Sequence, residues 1–385
     1  MFSIGGVVNA SAEIQRANNY PLIRLFTVGQ KNASGVPLLD LASVEQPWAI
    51  ASNTTISGGS EFGFFSATCW FFARDIVDAL GDAAPPMGLI SSNWGGTQIE
   101  VWMTQAAAAP CNGKAPAILY NAMIHPWTVG PMSLTGFLWY QGESDLSTKP
   151  AFLNNNYTCT QPAMMRQWRS DFGVPNAFFG VVQLSTWCPA GGAAPDALAQ
   201  LRVSQVATLT QPGDAYGTNA DHGAGCNIHP PYKQFPGARL ARAALSIVYG
   251  VPSAAGWRSP SYAAAAPGAA LGTVAVALRD TAPAGLALRA PFNAGTAGNC
   301  TALNAATPGT CAWAAVQFND PAATWVNATV ALSADGAAVV LAAAAVPAGA
   351  TRATATSYGW GSIPMLTVYR ADADLPVLPW KEEIA

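Results

Sequence analysis

The 385 residues are 51% apolar and only 10% charged, against about 25% charged in an average soluble domain, and the formal net charge is −3. A chain of this length can bury a substantial core as one large or two ordinary domains. It offers no basic footprint for nucleic acid, and no run approaches the roughly 18 apolar residues of a membrane span.

In chain order, residues 9–20 read as a short helix and residues 21–28 as a strand. Residues 30–60 are rich in Gly, Ser, Pro and Asn and read as loop, anchored by Trp48. From 64 to 80, apolar residues recur at helical spacing at Phe65, Cys69, Phe72, Ile76 and Leu80, which predicts a helix covering a sheet. Met87 begins a strand that runs into the loop Asn93-Trp94-Gly95-Gly96-Thr97, and residues 98–102 read as the helix that follows. Residues 134–140 are almost wholly apolar and meet the polar cluster Gln141-Gly142-Glu143-Ser144-Asp145. That design is a buried parallel strand whose C-terminal end delivers polar groups to the sheet edge, where open α/β sheets place ligands. Residues 157–172, 196–210 and 232–249 read as helices and residues 177–184 as another buried strand.

The alternation of strand and helix predicts a mostly parallel, doubly wound α/β sheet. From about residue 252, short Val/Ala/Leu alternations separated by Gly, Pro and Asn predict a smaller antiparallel β domain. The expected division is therefore residues 1–251 and 252–385.

None of the seven cysteines forms a CxxC pair or stands at zinc-ligand spacing, so no metal site is expected. Cys300 and Cys311 flank a Gly/Pro/Asn-rich loop that a disulfide would close, with an odd cysteine left over. Six N-x-S/T sequons, at Asn9, Asn32, Asn53, Asn156, Asn299 and Asn327, fit a glycosylated secreted or lysosomal protein, although residues 1–10 lack the features of a signal peptide.

Three histidines bound the search for a general base. His125 sits in a turn and reads as packed structure; His222, near glycines, reads as an exposed loop residue. His229, before Pro230-Pro231 at a loop-to-helix junction, is the base candidate. Backbone amides around Gly95 and Gly96, which no side chain shields, and the Gln141 side-chain amide are candidate oxyanion donors. No G-x-S-x-G elbow occurs. Ser60, Ser66 and Ser144 stand near glycines or motifs; Ser66 reads as part of a packed helix and Ser144 as turn or cap chemistry.

NWGGT at 93–97, WYQGESD at 139–145 and IHPPYKQ at 228–234 together resemble the sialate O-acetylesterases, within the wider class of SGNH-type esterases. FFSATCWFFARDI at 64–76, LYNAMIHP at 119–126 and a C-terminal SYGWGSIPMLTVYR segment extend the resemblance to nearly the whole chain. It implies a flavodoxin-like three-layer α/β/α domain with an associated β domain, and removal of O-acetyl groups from sialic acids by a serine nucleophile and a histidine base, without a cofactor. Gly96 and Gln141 match its oxyanion positions and His229 its base. Where an acid is expected before the histidine, Cys226 and Asn227 stand instead, leaving Asp221 or Glu143 to orient His229. The family's nucleophile lies in a GQSNM-like motif ahead of a segment like residues 2–14, so the serine and first strand are expected to be absent from this chain. The expected partner is an acetylated sugar. The rival expectations are a non-catalytic carbohydrate-binding relative using Trp94, Trp102 and Trp139, and an esterase for another acetylated polysaccharide.

Overall fold

The computed structural model describes residues 2–30, 32–58, 64–130, 132–146, 157–188 and 195–384. The chain forms two compact units that interleave in sequence: residues 1–184, 204–217 and 231–255 in the first, residues 185–203, 218–230 and 256–385 in the second. The expected division at 251/252 lies close to the last of these crossings. Two earlier segments, 185–203 and 218–230, fold with the C-terminal β region.

The first unit holds two three-stranded sheets. One has the order β2-β1-β3, with β1 Ile23–Val28, β2 Val44–Ile50 and β3 Met87–Ser91; the other has the order β4-β5-β6, with β4 Gly136–Trp139, β5 Phe178–Gln183 and β6 Asp214–Thr218. β1 pairs parallel with β3, and β4 with β5. Among the described residues no ladder joins β3 to β4, so the parallel strands are divided between two sheets.

Two strands escape a reading of local pattern. β2 lies inside the stretch expected to be loop: it carries Pro47, which a central strand does not tolerate, and it pairs antiparallel with β1 at a sheet edge, with register shifts. β6, Asp-Ala-Tyr-Gly-Thr, has no β-branched apolar run, yet every residue in it is buried. Its Asp214 forms a 2.7 Å ion pair with buried Arg169 and accepts from the backbone amides of Thr210 and Gln211, which removes the cost of burying that charge alone.

Helix α1, Ala67–Leu80, starts where the Ser66 hydroxyl accepts from the Cys69 amide, and it buries Trp70, Phe71, Ala73 and Ile76. It packs on helix α3, Gln234–Ile247, through Gly237: a Cβ there would stand 2.6 Å from Phe71 Cβ and 3.1 Å from the Thr68 carbonyl. Helix α2, Tyr157–Asp171, brings Trp168 against Phe137, Trp139 and Phe179 of β4 and β5 at ring distances of 5.6, 5.6 and 6.1 Å. This aromatic layer fixes the floor from which β4 ends.

In the second unit a seven-stranded antiparallel sheet runs, in spatial order, Trp380–Glu383, Ala353–Tyr358, Ala314–Phe318, Trp325–Leu332, Ala338–Ala343, Thr273–Arg279 and Ser261–Pro267. Alternate residues Val274, Val276, Val316, Phe318, Val339 and Leu341 point into its core, the period-two pattern of a half-buried strand. Disulfides join Cys111 to Cys159, Cys188 to Cys226 and Cys300 to Cys311, and Cys69 is the free thiol. The loop expected between the last pair begins as a short helix, Cys300–Ala306, capped by Asn299. Among the described residues no helix is long and apolar enough to cross a membrane.

Candidate functional site

Two clusters hold the candidate residues, one in each unit. In the first, the chain leaves β4 at Trp139 and reaches Gly142, whose φ of 146° suits a residue without a side chain and lets the chain turn straight into the 3-10 turn Glu143–Asp145. Ser144 lies in this turn, as expected, and Ser66 caps α1; Ser60 lies outside the described residues.

The turn drives Asp145, 6% exposed, beneath the neighbouring loop. Its Oδ1 accepts from the Ile99 amide at 3.5 Å and its Oδ2 from Gln141 Nε2. The same Gln141 nitrogen donates to the Thr97 carbonyl at 2.9 Å, while Gln141 Oε1 accepts from the Tyr157 hydroxyl at 3.0 Å. The Gln141 backbone carbonyl accepts from Gln205 Nε2 at 3.0 Å. Both amide hydrogens of Gln141 are therefore committed within the protein, and the side chain clamps the end of β4 to the Gly-Gly-Thr loop.

That loop is closed by its own bonds. Thr97 Oγ1 donates to the Trp94 carbonyl at 2.7 Å and accepts from Trp102 Nε1 at 2.9 Å; Gln30 Nε2 donates to Asn93 Oδ1 at 3.0 Å. Gly95 and Gly96 remain exposed at its crest. Gly96 has φ +73° with nothing within 4 Å of where a Cβ would be, so its backbone is open to an approaching group. Residues 98–102, expected as a helix, form only the single 3-10 turn Ile99–Trp102. Trp102 and Trp139, which one rival expectation placed in a sugar pocket, are buried core residues packed edge to face at 6.2 Å; Trp94 is half-buried.

Ionisable groups under this loop are shifted by burial. Glu100, also 6% exposed, lies close enough to the Asp145 carboxyl for the two to influence each other's ionisation, and its Oε2 finds no hydrogen-bond donor. Desolvation raises the pKa of both acids; Asp145 is pushed up to about 8, with the charge of Glu100 adding to the effect. Glu143 is raised by burial too, opposed by Lys233. Lys233 is pushed down to about 8 by burial against the pull of Glu143. Its Nζ donates to the Tyr140 hydroxyl at 3.2 Å and lies 4.6 Å and 5.1 Å from the Tyr140 and Phe2 ring centres.

In the second unit, the expectation for His222 requires correction. His222 is buried, not exposed: its ring lies 4.6 Å from Phe292, and its Nδ1 is 3.0 Å from Asp221 Oδ2. Tyr369 donates its hydroxyl to the same Asp221 oxygen at 3.0 Å, so the Asp221 carboxylate serves His222 and Tyr369. The segment is drawn inward by Asn293, whose amide donates to the Ala220 and Pro364 carbonyls and whose Oδ1 accepts from the Gly223 amide, at 2.8, 2.7 and 2.8 Å. Nothing near Asn293 in the sequence signals this, because its partners lie some 70 positions away. His229 is exposed, and its backbone amide donates to Asn227 Oδ1 at 2.9 Å, so Asn227 holds the backbone of the turn. His125 is held by an Nδ1 contact of 3.0 Å to the Leu38 carbonyl, the structural role expected of it.

Gly96, Gln141 and Glu143 thus belong to the first unit, and Asp221, Asn227 and His229 to the second. Glu100, Asp145 and Lys233 were missed as functional candidates, although the last two stand inside quoted motifs. Among the described residues no group of three or more His, Cys, Asp or Glu side chains is arranged to hold a metal ion.

Residues 42–222 match the family described as carbohydrate esterase, sialic acid-specific acetylesterase. The chain is similar to the sialate O-acetylesterase of Homo sapiens, 31% identical over 278 residues that cover 63% of this chain and 50% of that protein. It is 32% identical to that of Rattus norvegicus over 229 residues, covering 47% and 40%. It also resembles the solved structure of a carbohydrate acetylesterase from Xanthomonas citri: 28% identity, a TM-score of 0.76, and coverage of 98% of this chain and 77% of that one. The chain spans about half the length of the curated relatives it matches.

Proposed function

Because the chain belongs to the sialic acid-specific acetylesterase family of carbohydrate esterases, we propose that it is a carboxylic-ester hydrolase that removes O-acetyl groups from sialic acid or a related acetylated sugar. The observation that carries this reading is the exposed Gly95-Gly96 crest, inside the matched region, held open by the clamp of Gln141 on Thr97.

In the proposed reaction, a serine hydroxyl, which the family's GQSN-like motif supplies and to which no serine of this sequence is assigned, passes its proton to the imidazole of His229 and its oxygen attacks the acetyl carbonyl. The Gly96 amide stabilises the resulting oxyanion. The sugar hydroxyl leaves with the proton from the imidazolium, and water then releases acetate from the serine by the same steps. Gln141, whose amide hydrogens go to the Thr97 carbonyl and the Asp145 carboxyl, supports the Gly96 donor by holding the Thr97 turn. Glu143 contributes through Lys233, whose charge it favours.

A second reading, a carbohydrate-binding protein that recognises acetylated sugars without cleaving them, is separated from the first by experiment. Three disulfides together with six sequons support an oxidising, secretory setting for either reading.

The test measures acetate released by the intact chain from O-acetylated sialic acid, from acetylated plant polysaccharide and from an aryl acetate, alongside calorimetric binding of the same sugars. Acetate release from a sugar acetate is the expected result. Binding of the acetylated sugar with no acetate released overturns the hydrolase in favour of the binder.

A further inference from the structure

The hydrogen bonds of the first unit converge on two carboxyl groups that the proposed reaction does not use. Glu100 and Asp145 come from different turns, Ile99–Trp102 and Glu143–Asp145, and meet beneath the Gly-Gly-Thr loop. Both are almost fully buried, and one Glu100 oxygen has no partner. Two ionised carboxylates in contact there would repel each other, and the partnerless oxygen would carry an uncompensated buried charge. One proton between them removes both costs. The charged and titratable groups around the pair are few: Glu143 in the same turn as Asp145, Tyr157 on α2, and Lys233, which acts through Glu143. The Tyr157 hydroxyl is itself pushed well above its ordinary range by burial and stays neutral.

We propose that Glu100 and Asp145 share a single proton, and that in this form they are positioning residues that hold Gln141 and the Thr97 turn, and through them the Gly96 amide, in working geometry. The link is a continuous one: Asp145 accepts from Gln141 and from the Ile99 amide, Gln141 donates to Thr97, and Thr97 is tied to Trp94 and Trp102. Loss of the shared proton puts two negative charges under the loop. The pair then separates, and Gln141 loses its anchor. The functional part of this proposal rests on the esterase reading; the proton and the loop do not.

The sign of the pH dependence follows from burial. Because burial raises both carboxyls, the folded chain binds more protons than the unfolded chain from the ordinary carboxylate range up to the raised titration. Stability therefore falls as pH rises across that window. Above the titration, the proton-retaining form declines about tenfold per pH unit.

The experiment compares the wild-type chain with Glu100→Gln and Asp145→Asn, each of which keeps the shape and a hydrogen-bonding amide but leaves fewer than two charges. Infrared difference spectra between pH 6 and pH 10 are expected to show loss of a protonated-carboxyl band in the wild type and no such change in Asp145→Asn. Hydrogen exchange of the peptide spanning 94–103, corrected for the intrinsic pH dependence, is expected to lose protection above the titration only in the wild type. Where acetate is released, its alkaline limb is expected to vanish in both variants with KM little changed. A wild type without the titrating band, or an exchange profile that Glu100→Gln leaves unaltered, overturns the proposal. A chain that releases no acetate but shows the band and the exchange change defeats the esterase reading and leaves the shared proton standing.

Discussion

The two clusters that carry the candidate residues are built by different means. Beneath the Gly-Gly-Thr loop, the first unit buries Glu100, Asp145 and Lys233 and ties Gln141 by hydrogen bonds to three separate segments. In the second unit, segment 218–230 is drawn inward at Asp221, His222 and Gly223 by Tyr369 and Asn293, fastened by the Cys188–Cys226 disulfide, and then left exposed at Asn227 and His229. A buried polar network couples every member to stability, since removing one leaves another unsatisfied. In a stapled, exposed turn a substitution disturbs less of the packed interior. The same kind of substitution should therefore read out differently in the two places.

The largest expected effect separates the two most directly. His229→Ala removes an exposed side chain and should leave the melting midpoint within the range of an ordinary surface change, about 0.5 kcal/mol. Acetate release should fall by roughly 10² to 10⁴ in kcat, the usual worth of a general base. In Gln141→Ala, by contrast, loss of kcat and loss of stability should come together, because Asp145, Thr97 and Tyr157 all lose a partner. Steady-state kinetics beside thermal melts check both; a strongly destabilised His229→Ala would erase the distinction.

Next in size is the staple. Replacing Cys188 and Cys226 together by serine should cost about 2 to 4 kcal/mol, since the bond closes a 38-residue separation, with the change confined to segment 218–230 in hydrogen exchange. The first unit's counterpart is packing. Gly237→Ala should cost about 1 to 3 kcal/mol, because the added methyl meets Phe71 and the Thr68 carbonyl at the crossing of α1 and α3, one turn beyond Lys233. Urea denaturation measures each.

The smallest effect is the slope of stability with pH that Lys233 imposes. Its pKa in the folded chain, about 8, lies below the ordinary 10.5, so the unfolded chain binds more protons between those values and stability rises with pH there. Lys233→Met should flatten that rise in urea midpoints taken from pH 8 to 10.5. An unchanged slope would show that Lys233 is not as desolvated as its burial implies.

Much was legible in order. Apolar spacing marked α1 to within a few residues, the apolar run before Gln141 marked β4, and alternation from residue 252 marked the antiparallel sheet. The paired cysteines 300 and 311 were legible from their loop. These are local signals: side-chain periodicity and turn chemistry are properties of neighbouring residues. The motifs were legible for a related reason, since each lies within a few residues of a strand end.

What the tertiary structure alone decided is partnership. Nothing in the residues around Asp221 states that its carboxylate will serve His222 and Tyr369, the latter 148 positions away. Nor does QGESD state that both Gln141 hydrogens are taken, one by a carbonyl 44 positions earlier, or that Asp145 will meet Glu100. β6 has no strand signal of its own and is made a strand by the ion pair with Arg169 and by neighbours that bury all five residues. Hydrogen bonds and charge pairs depend on positions in space and on local dielectric, and both are set only when distant segments pack. The sequence determined which residues stand at the ends of strands; the packed chain determined which of them remain free to act.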